Sequence, residues 1–229
     1  MTTPNHGKAV IFDLDGVLVD TGPFHRKSWH DIAAQEGFDL TDEFFYRTFG
    51  MQNYQILPLL LGADAPPDKI ERISVAKEDR FRELIAGRLT LMEGVPALID
   101  DLKSHGFTLA VGSSAPRVNL EFMLRQAHAL HRFDALVHGQ EVDHGKPAPD
   151  TFLKAAEKLH LPPHRCIVVE DALPGVHAAR AADMAVVAIT TTRSRSDLAP
   201  ADLVIDGMSE LNHTLFDALL PRPPRIDNT

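Results

Sequence analysis

The sequence predicts an α/β fold, a doubly wound parallel sheet with an inserted α-helical cap domain. Three observations lead there. Short runs that are apolar throughout recur along the chain, as expected of strands buried on both faces. Helical patterns separate most of them, and strand–helix alternation is the mark of a parallel sheet. Between the first run and the second lies a long stretch with helical character only.

The strand candidates are Ala9 to Phe12, Phe107 to Val111, Ala135 to Val137, Cys166 to Val169, Ala185 to Ile189 and Leu203 to Ile205. Each ends in polar or small residues. The helical patterns between them cover Val95 to His105, Arg117 to Ala129, Pro149 to His160 and Gly175 to Ala182. Leu120, Met123, Leu124 and Ala127 fall at helical spacing on the second of these. Pro162-Pro163 marks the end of the third.

From Asp20 to Gly94 the character changes. The pattern gives helices over Phe24 to Glu36, Asp42 to Phe49, Tyr54 to Leu61 and Pro67 to Ala86. We read residues 21–92 as a helical cap, and residues 1–20 with 93–229 as the core. A cap inserted there would lie over the carboxyl ends of the strands, where ligands bind in such sheets. The Pro-rich tail, Pro221 to Thr229, is expected to be loosely held.

Composition narrows the function. The chain has 229 residues, 44% of them hydrophobic and 24% charged, with a formal net charge of −9. That charge argues against a nucleic-acid partner. No apolar run is long enough to span a membrane. The polar start, Met1 to Lys8, does not resemble a signal peptide. The single cysteine, Cys166, sits in an apolar run and is expected to be a buried structural thiol. We therefore expect a cytoplasmic protein, a monomer or weak homo-oligomer, acting on a small molecule.

Chemistry-bearing residues gather at strand ends. Asp13-Leu14-Asp15-Gly16 follows the first strand, and residues two apart on extended chain point the same way. Two neighbouring carboxylates repel unless a cation or proton lies between them, and Mg²⁺ is a natural oxygen-liganded partner. A plain capped turn would use the same residues. Glu170-Asp171 closes another strand, as a further acid pair or as a helix N-cap by Asp171. Ser113 and Ser114 precede a helix, where hydroxyls and free N–H groups form an anion site or an ordinary cap. Lys146 lies in Gly145-Lys146-Pro147-Ala148-Pro149-Asp150, placed to neutralise a phosphate or to remain a surface lysine. Each is weak alone. Together they would supply nucleophile, acid/base, phosphate clamp and metal ligands at one sheet edge.

These motifs, in this order, resemble the haloacid dehalogenase superfamily in its β-phosphoglucomutase-like branch. The resemblance covers essentially the whole chain and implies a Rossmann-like core with a helical cap. It implies that Asp13 attacks phosphorus to form an aspartyl-phosphate and that Asp15 is general acid, then base. It implies Mg²⁺ held by Asp13, the Asp15 carbonyl and Asp171, with Glu170 ligating or orienting. Ser113, with Ser114 beside it, and Lys146 would grip the phosphoryl group. In the cap, His25 and Trp29 match residues near the family's active site, and Lys77 matches a substrate-contacting lysine.

The chain also departs from that pattern. Near Gly50, Asn53 stands about where the mutases carry an arginine for a second phosphate. After Ser114, Ala115-Pro116-Arg117 replaces a Ser-Lys-Asn run, with Arg117 in a position to compensate. Losing a grip on a bisphosphate favours water as acceptor. We therefore expect a phosphatase acting on a small phosphate ester such as a sugar phosphate, with a β-phosphoglucomutase as the alternative. A phosphoryl-accepting signalling domain needs no cap and only about half this length. A serine hydrolase built on Gly112-Ser113-Ser114-Ala115 lacks the second glycine of its elbow.

Overall fold

A computed structural model describes residues 7–220; the start and the Pro-rich tail lie outside the described residues. Six strands form one parallel sheet: β1 (Lys8–Phe12), β2 (Phe107–Gly112), β3 (Ala135–Val137), β4 (Cys166–Glu170), β5 (Ala185–Ile189) and β6 (Leu203–Ile205). Their order is β3-β2-β1-β4-β5-β6. The chain winds outward from β1 to β3, then crosses to the other side of β1 for β4. The carboxyl ends of β1 and β4 therefore flank the point where the winding reverses, the crevice in which such sheets bind ligands.

The helices between β1 and β2 are α1 (Gly22–Glu36), α2 (Asp42–Thr48), α3 (Asn53–Leu61), α4 (Pro67–Ile85) and α5 (Val95–Ser104). After them come α6 (Arg117–Gln126), α7 (Asp150–Lys158), α8 (Leu173–Ala181) and α9 (His213–Leu219). Side chains of β1 alternate between two cores, as strand periodicity requires. Val10 and Phe12 pack with Leu98 of α5, Met123 of α6 and Phe216 of α9. Ala9 and Ile11 pack with Phe152 of α7 and Val176 of α8. Trp29, Phe45, Leu57 and Ile73 build a separate apolar cluster among α1 to α4.

Several ends differ from the sequence expectation. α6 stops at Gln126 rather than Ala129, and α7 at Lys158 rather than His160. Just beyond each, His128 (φ 53°) and His160 (φ 56°) take left-handed backbone that no helix continues. α8 starts two residues early, with Pro174 in its first turn, where a missing N–H costs nothing. The helix α9 has no counterpart among the sequence expectations. Its start is capped by Asn212, whose side chain accepts from the Leu215 amide at 3.1 Å.

The segment leaving β1 folds back on itself, with the Gly16 amide donating to the Val19 carbonyl at 2.8 Å. The chain enters the helical insertion after Val19 and returns at Leu91. Those two residues form an antiparallel bridge, and the Met92 amide donates to the Leu18 carbonyl at 2.9 Å. Among the described residues no helix is long and apolar enough to cross a membrane.

Phe216 is fully buried against Phe107, with ring centroids 6.2 Å apart. Phe216→Ala should cost about 3–5 kcal/mol of stability, read from urea unfolding.

Candidate active site

The backbone places Asp13 firmly. Its amide donates to the Val169 carbonyl at 2.9 Å, extending the β1–β4 pairing one residue past the strand. Leu14 is buried, while Asp13 and Asp15 on either side of it face one cavity. Gly16 has φ +78°, and a Cβ there would lie 2.0 Å from Asp171 Oδ2. Only glycine meets both conditions.

Lys146 comes from the loop after β3 and is buried. Its Nζ lies 2.5 Å from Asp13 Oδ1 and 2.6 Å from Glu170 Oε1. The other oxygen of Glu170 accepts from the amides of Asp171 and Ala172 at 2.8 and 2.9 Å. Asp171 Oδ2 accepts from Thr192 at 2.7 Å and Thr191 at 3.3 Å. Its Oδ1 is buried with no partner. The N-cap of α8 is Ala172, so Asp171 does not serve as the helix cap that was its alternative reading.

Electrostatics follow from burial. It pushes Asp13 up to about 7, with Lys146 pulling against it and Glu170 and Asp15 adding to it. Asp171 is raised well above the usual carboxylate range by burial, then by repulsion from Glu170 and Asp13. Burial disfavours the Lys146 ammonium, but Asp13 and Glu170 outweigh it and raise its pKa. Asp13, Glu170 and Asp171 each bring an oxygen within 4.8 Å of the others. Three buried acids with one lysine, and an orphaned oxygen on Asp171, fit a hard divalent cation. A second cluster, Asp101, His105 and His213, does not fit one. Its imidazoles stack 3.4 Å apart at 5°, so lone pairs in those parallel planes cannot converge on one ion.

Asp15 faces the cap. It accepts from Thr21 Oγ1 at 2.5 Å and lies 3.1 Å from His25 Nε2. Lys77 Nζ is 2.8 Å from His25 Nδ1. An ammonium only donates, so Nδ1 accepts and Nε2–H donates to Asp15. Burial opposes the charge on Asp15, but His25, Thr21 and more distantly Lys77 prevail and lower its pKa. The His25 ring stacks on Phe81 at 3.8 Å.

The remaining expected residues divide. Lys77 is buried in the cavity wall and donates to Glu78 at 2.8 Å. Trp29 belongs to the cap's apolar cluster and also reaches the wall. Asn53 lines the wall, where its amide donates to Ser74 at 3.1 Å and Glu78 at 2.7 Å. Ser114 donates to the Gly50 carbonyl at 2.7 Å, tying core to cap. Ser113 is fully buried and its Oγ accepts from the Ala115 amide at 3.0 Å. Neither serine caps α6, whose N-cap is Pro116. Arg117 is not brought into the wall. Its guanidinium turns outward to Glu121 at 2.7 Å, and Arg82 of α4 is the arginine that lines the cavity.

Sequence reasoning passed over Thr21, Glu78, Arg82, Asn119 and Thr192. Glu78 accepts from Asn119 of α6, and Arg82 donates to Asn119 at 2.5 Å. Gln52 donates to the Gly139 carbonyl at 3.0 Å. These contacts close the cap over a cavity of about 550 Å³, within the range of small-molecule sites.

The raised pKa of Asp13 has a testable sign. Its folded value lies above the unfolded one, so its contribution to stability is full below about pH 4 and is lost as pH rises through about 7. Without divalent metal, Asp13→Asn should therefore stabilise the chain at pH 8 by an amount on the order of a few kcal/mol. The gain should shrink towards pH 4. Urea unfolding in a chelator at both pH values measures it.

Known proteins resemble the chain over most of its length. The family model for haloacid dehalogenase-like hydrolases matches residues 8–183. Fructose-1-phosphate phosphatase YqaB of Escherichia coli is 36% identical over 180 residues, covering 76% of this chain and 92% of that protein. Beta-phosphoglucomutase of Bacillus subtilis is 31% identical over 216 residues, covering 91% and 93%. The crystal structure of beta-phosphoglucomutase from Clostridium difficile superposes with a TM-score of 0.85 at 26% identity, covering 93% and 96%. A sheet edge that gathers Asp13, Lys146, Glu170 and Asp171, on a chain matched over most of its length, makes this protein a member of the haloacid dehalogenase-like hydrolase family.

Proposed function

We propose that this chain is a Mg²⁺-dependent phosphatase that hydrolyses a small phosphorylated metabolite, such as a sugar phosphate, through an aspartyl-phosphate. The observation that carries this reading is the position of Asp13. It stands at the mouth of the reversal crevice, with Lys146 on one oxygen and the cap cavity in front of it.

In this reading the Asp13 carboxylate attacks phosphorus and the ester oxygen leaves. A carboxylate nucleophile divides one difficult displacement into two easier ones. Lys146, fixed by Glu170, offsets negative charge on the transferring group. Ser113, Ser114 and the start of α6 complete the phosphate grip. Asp15 gives a proton to the leaving oxygen, then takes one from the attacking water. Its contacts with Thr21 and His25 hold it facing the cap, and its lowered pKa keeps it ionised, the form the second task needs, at some cost in basicity. Asp13, the Asp15 carbonyl and Asp171 would hold Mg²⁺, with Glu170 in support; the ion would neutralise charge on the phosphoryl oxygens. His25, Trp29, Asn53 and Lys77 would meet the leaving group, with Gly50 at the edge of the cap. We place the boundary between cap and core at residues 21–92, a segment in which α1 to α3 and the first half of α4 share their own apolar cluster.

Water as the final acceptor is supported by two contacts. Asn53 has its amide committed to Ser74 and Glu78, and Arg117 is committed to Glu121 on the surface. Neither is positioned to hold a second phosphate through a mutase cycle. The similarity to a fructose-1-phosphate phosphatase points the same way.

Asp13→Asn should lower Mg²⁺-dependent turnover of p-nitrophenyl phosphate by at least about 10³-fold while circular dichroism stays unchanged. Near-normal turnover would overturn the nucleophile. With β-glucose 1-phosphate and a bisphosphate primer, free phosphate should form and glucose 6-phosphate should not accumulate. Robust glucose 6-phosphate formation would restore the mutase.

A further inference from the structure

Charge on the cavity wall is matched unevenly. Among the described residues each lysine and arginine of the wall already has a carboxylate. Lys77 donates to Glu78, and Arg82 is held by Asp79 on one side and Asn119 on the other. Glu78 is itself buried and accepts from Asn53 and Asn119, and Lys77 holds its carboxyl below the usual range against the opposing effect of burial.

Two carboxylates of the wall stand unmatched. Glu71 on α4 and Asp143 in the core loop after β3 are exposed, with no ion pair or hydrogen bond among the described residues. Residues 71, 74, 75 and 78 follow helical spacing along one face of α4. Glu71 thus lies about 10 Å along the helix from Glu78. The buried Lys77–Glu78 pair marks the deep end of this face, and Glu71 marks the mouth. Asp143 approaches the same cavity from the core. An ester with its phosphoryl group at Asp13 and Lys146 must extend its leaving alcohol between these groups.

On the reading that the chain is a phosphatase, we propose that it selects phosphate monoesters whose leaving alcohol carries no second anion, and that an amine on that alcohol strengthens binding through Glu71 and Asp143. A second phosphate or a carboxylate could gain a cation only by taking Lys77 from Glu78 or Arg82 from Asp79 and Asn119. The first exchange would leave a buried carboxylate unpaired, which is strongly unfavourable. It would also meet two unmatched negative charges at the rim, an arrangement that rejects ligands of the same sign. An amine meets attraction at the same place and disturbs no existing pair.

Three six-carbon esters differing in one charge test this: glucosamine 6-phosphate, glucose 6-phosphate and 6-phosphogluconate. Their binding to the Asp13→Asn chain with Mg²⁺ is measured by calorimetry, beside inorganic phosphate. Affinity should fall in that order by at least about 10-fold from end to end at low salt, and the spread should narrow at high salt. In an Asp13→Asn chain also carrying Glu71→Gln and Asp143→Asn, both exposed positions, the spread should collapse. Equal affinities, tighter binding of the carboxylate ester, or an amine ester no tighter than inorganic phosphate would each overturn the proposal. So would a spread that survives the added substitutions. Turnover of p-nitrophenyl phosphate by the parent chain reports separately on the phosphatase reading, because the binding order needs no turnover.

Discussion

The Lys146 ammonium lies between Asp13 and Glu170, buried with both, and the rest of the site is arranged around that contact. Two carboxylates contact that cation, and Asp171 stands beside them at the switch point of the sheet. Left without it, they would face the full cost of charge in a poorly hydrated interior. With it, three carboxylates still face one ammonium, two positive charges short of neutrality, and burial together with that repulsion raises the pKa values of Asp13 and Asp171. The same imbalance suits the site to a divalent ion, whose two charges would complete the set. Two glycines make the crowding sterically possible. A Cβ at Gly16 would strike Asp171 and one at Gly175 would strike Glu170, at 2.0 and 1.7 Å.

The cap contributes through a second, continuous polar chain. It runs from Asp15 to His25 and Lys77, on to Glu78, and back to Asn119 of the core. One end touches the proposed acid/base and the other touches α6. The aromatic faces of Phe81 and Trp29 lie 5.2 and 5.5 Å from the Lys77 ammonium. They add to the enclosure of a cation already paired with Glu78. Orientation of Asp15 and closure of the cap are thus properties of one hydrogen-bonded assembly.

The strand ends were legible because chemistry there is tied to backbone periodicity. Asp13, Lys146, Glu170 and Asp171 each follow an apolar run or its loop, and a parallel sheet brings those ends together. The six strands were legible for the same reason. The cap face of α4 was not. Lys77-Glu78 in an amphipathic helix reads the same whether the pair is solvated or buried, and only tertiary packing decides. Arg117 and Arg82 illustrate the limit: nearness to a motif favoured Arg117, but an i, i+4 carboxylate at Glu121 draws it away. The helix α9 was hidden by its brevity, and its anchor, Phe216, gains meaning only beside Phe107. Ser113 and Ser114 looked like helix caps because hydroxyls before a helix usually are, but Pro116 intervenes.

The bridge between Val19 and Leu91 bears on the history and malleability of the molecule. All the helices from α1 to α4 leave and re-enter the core through two chain segments joined side by side. An insertion whose ends already touch demands no stretching of the scaffold, and the entropy of closing it grows only slowly with its length. The ladder of the sheet therefore sets no length for the segment between those ends, although Phe81 and Ile85 of α4 pack into the core beneath it. The cavity wall facing Asp13 can diversify by changes in that segment, with Asp13 and its neighbours left in register.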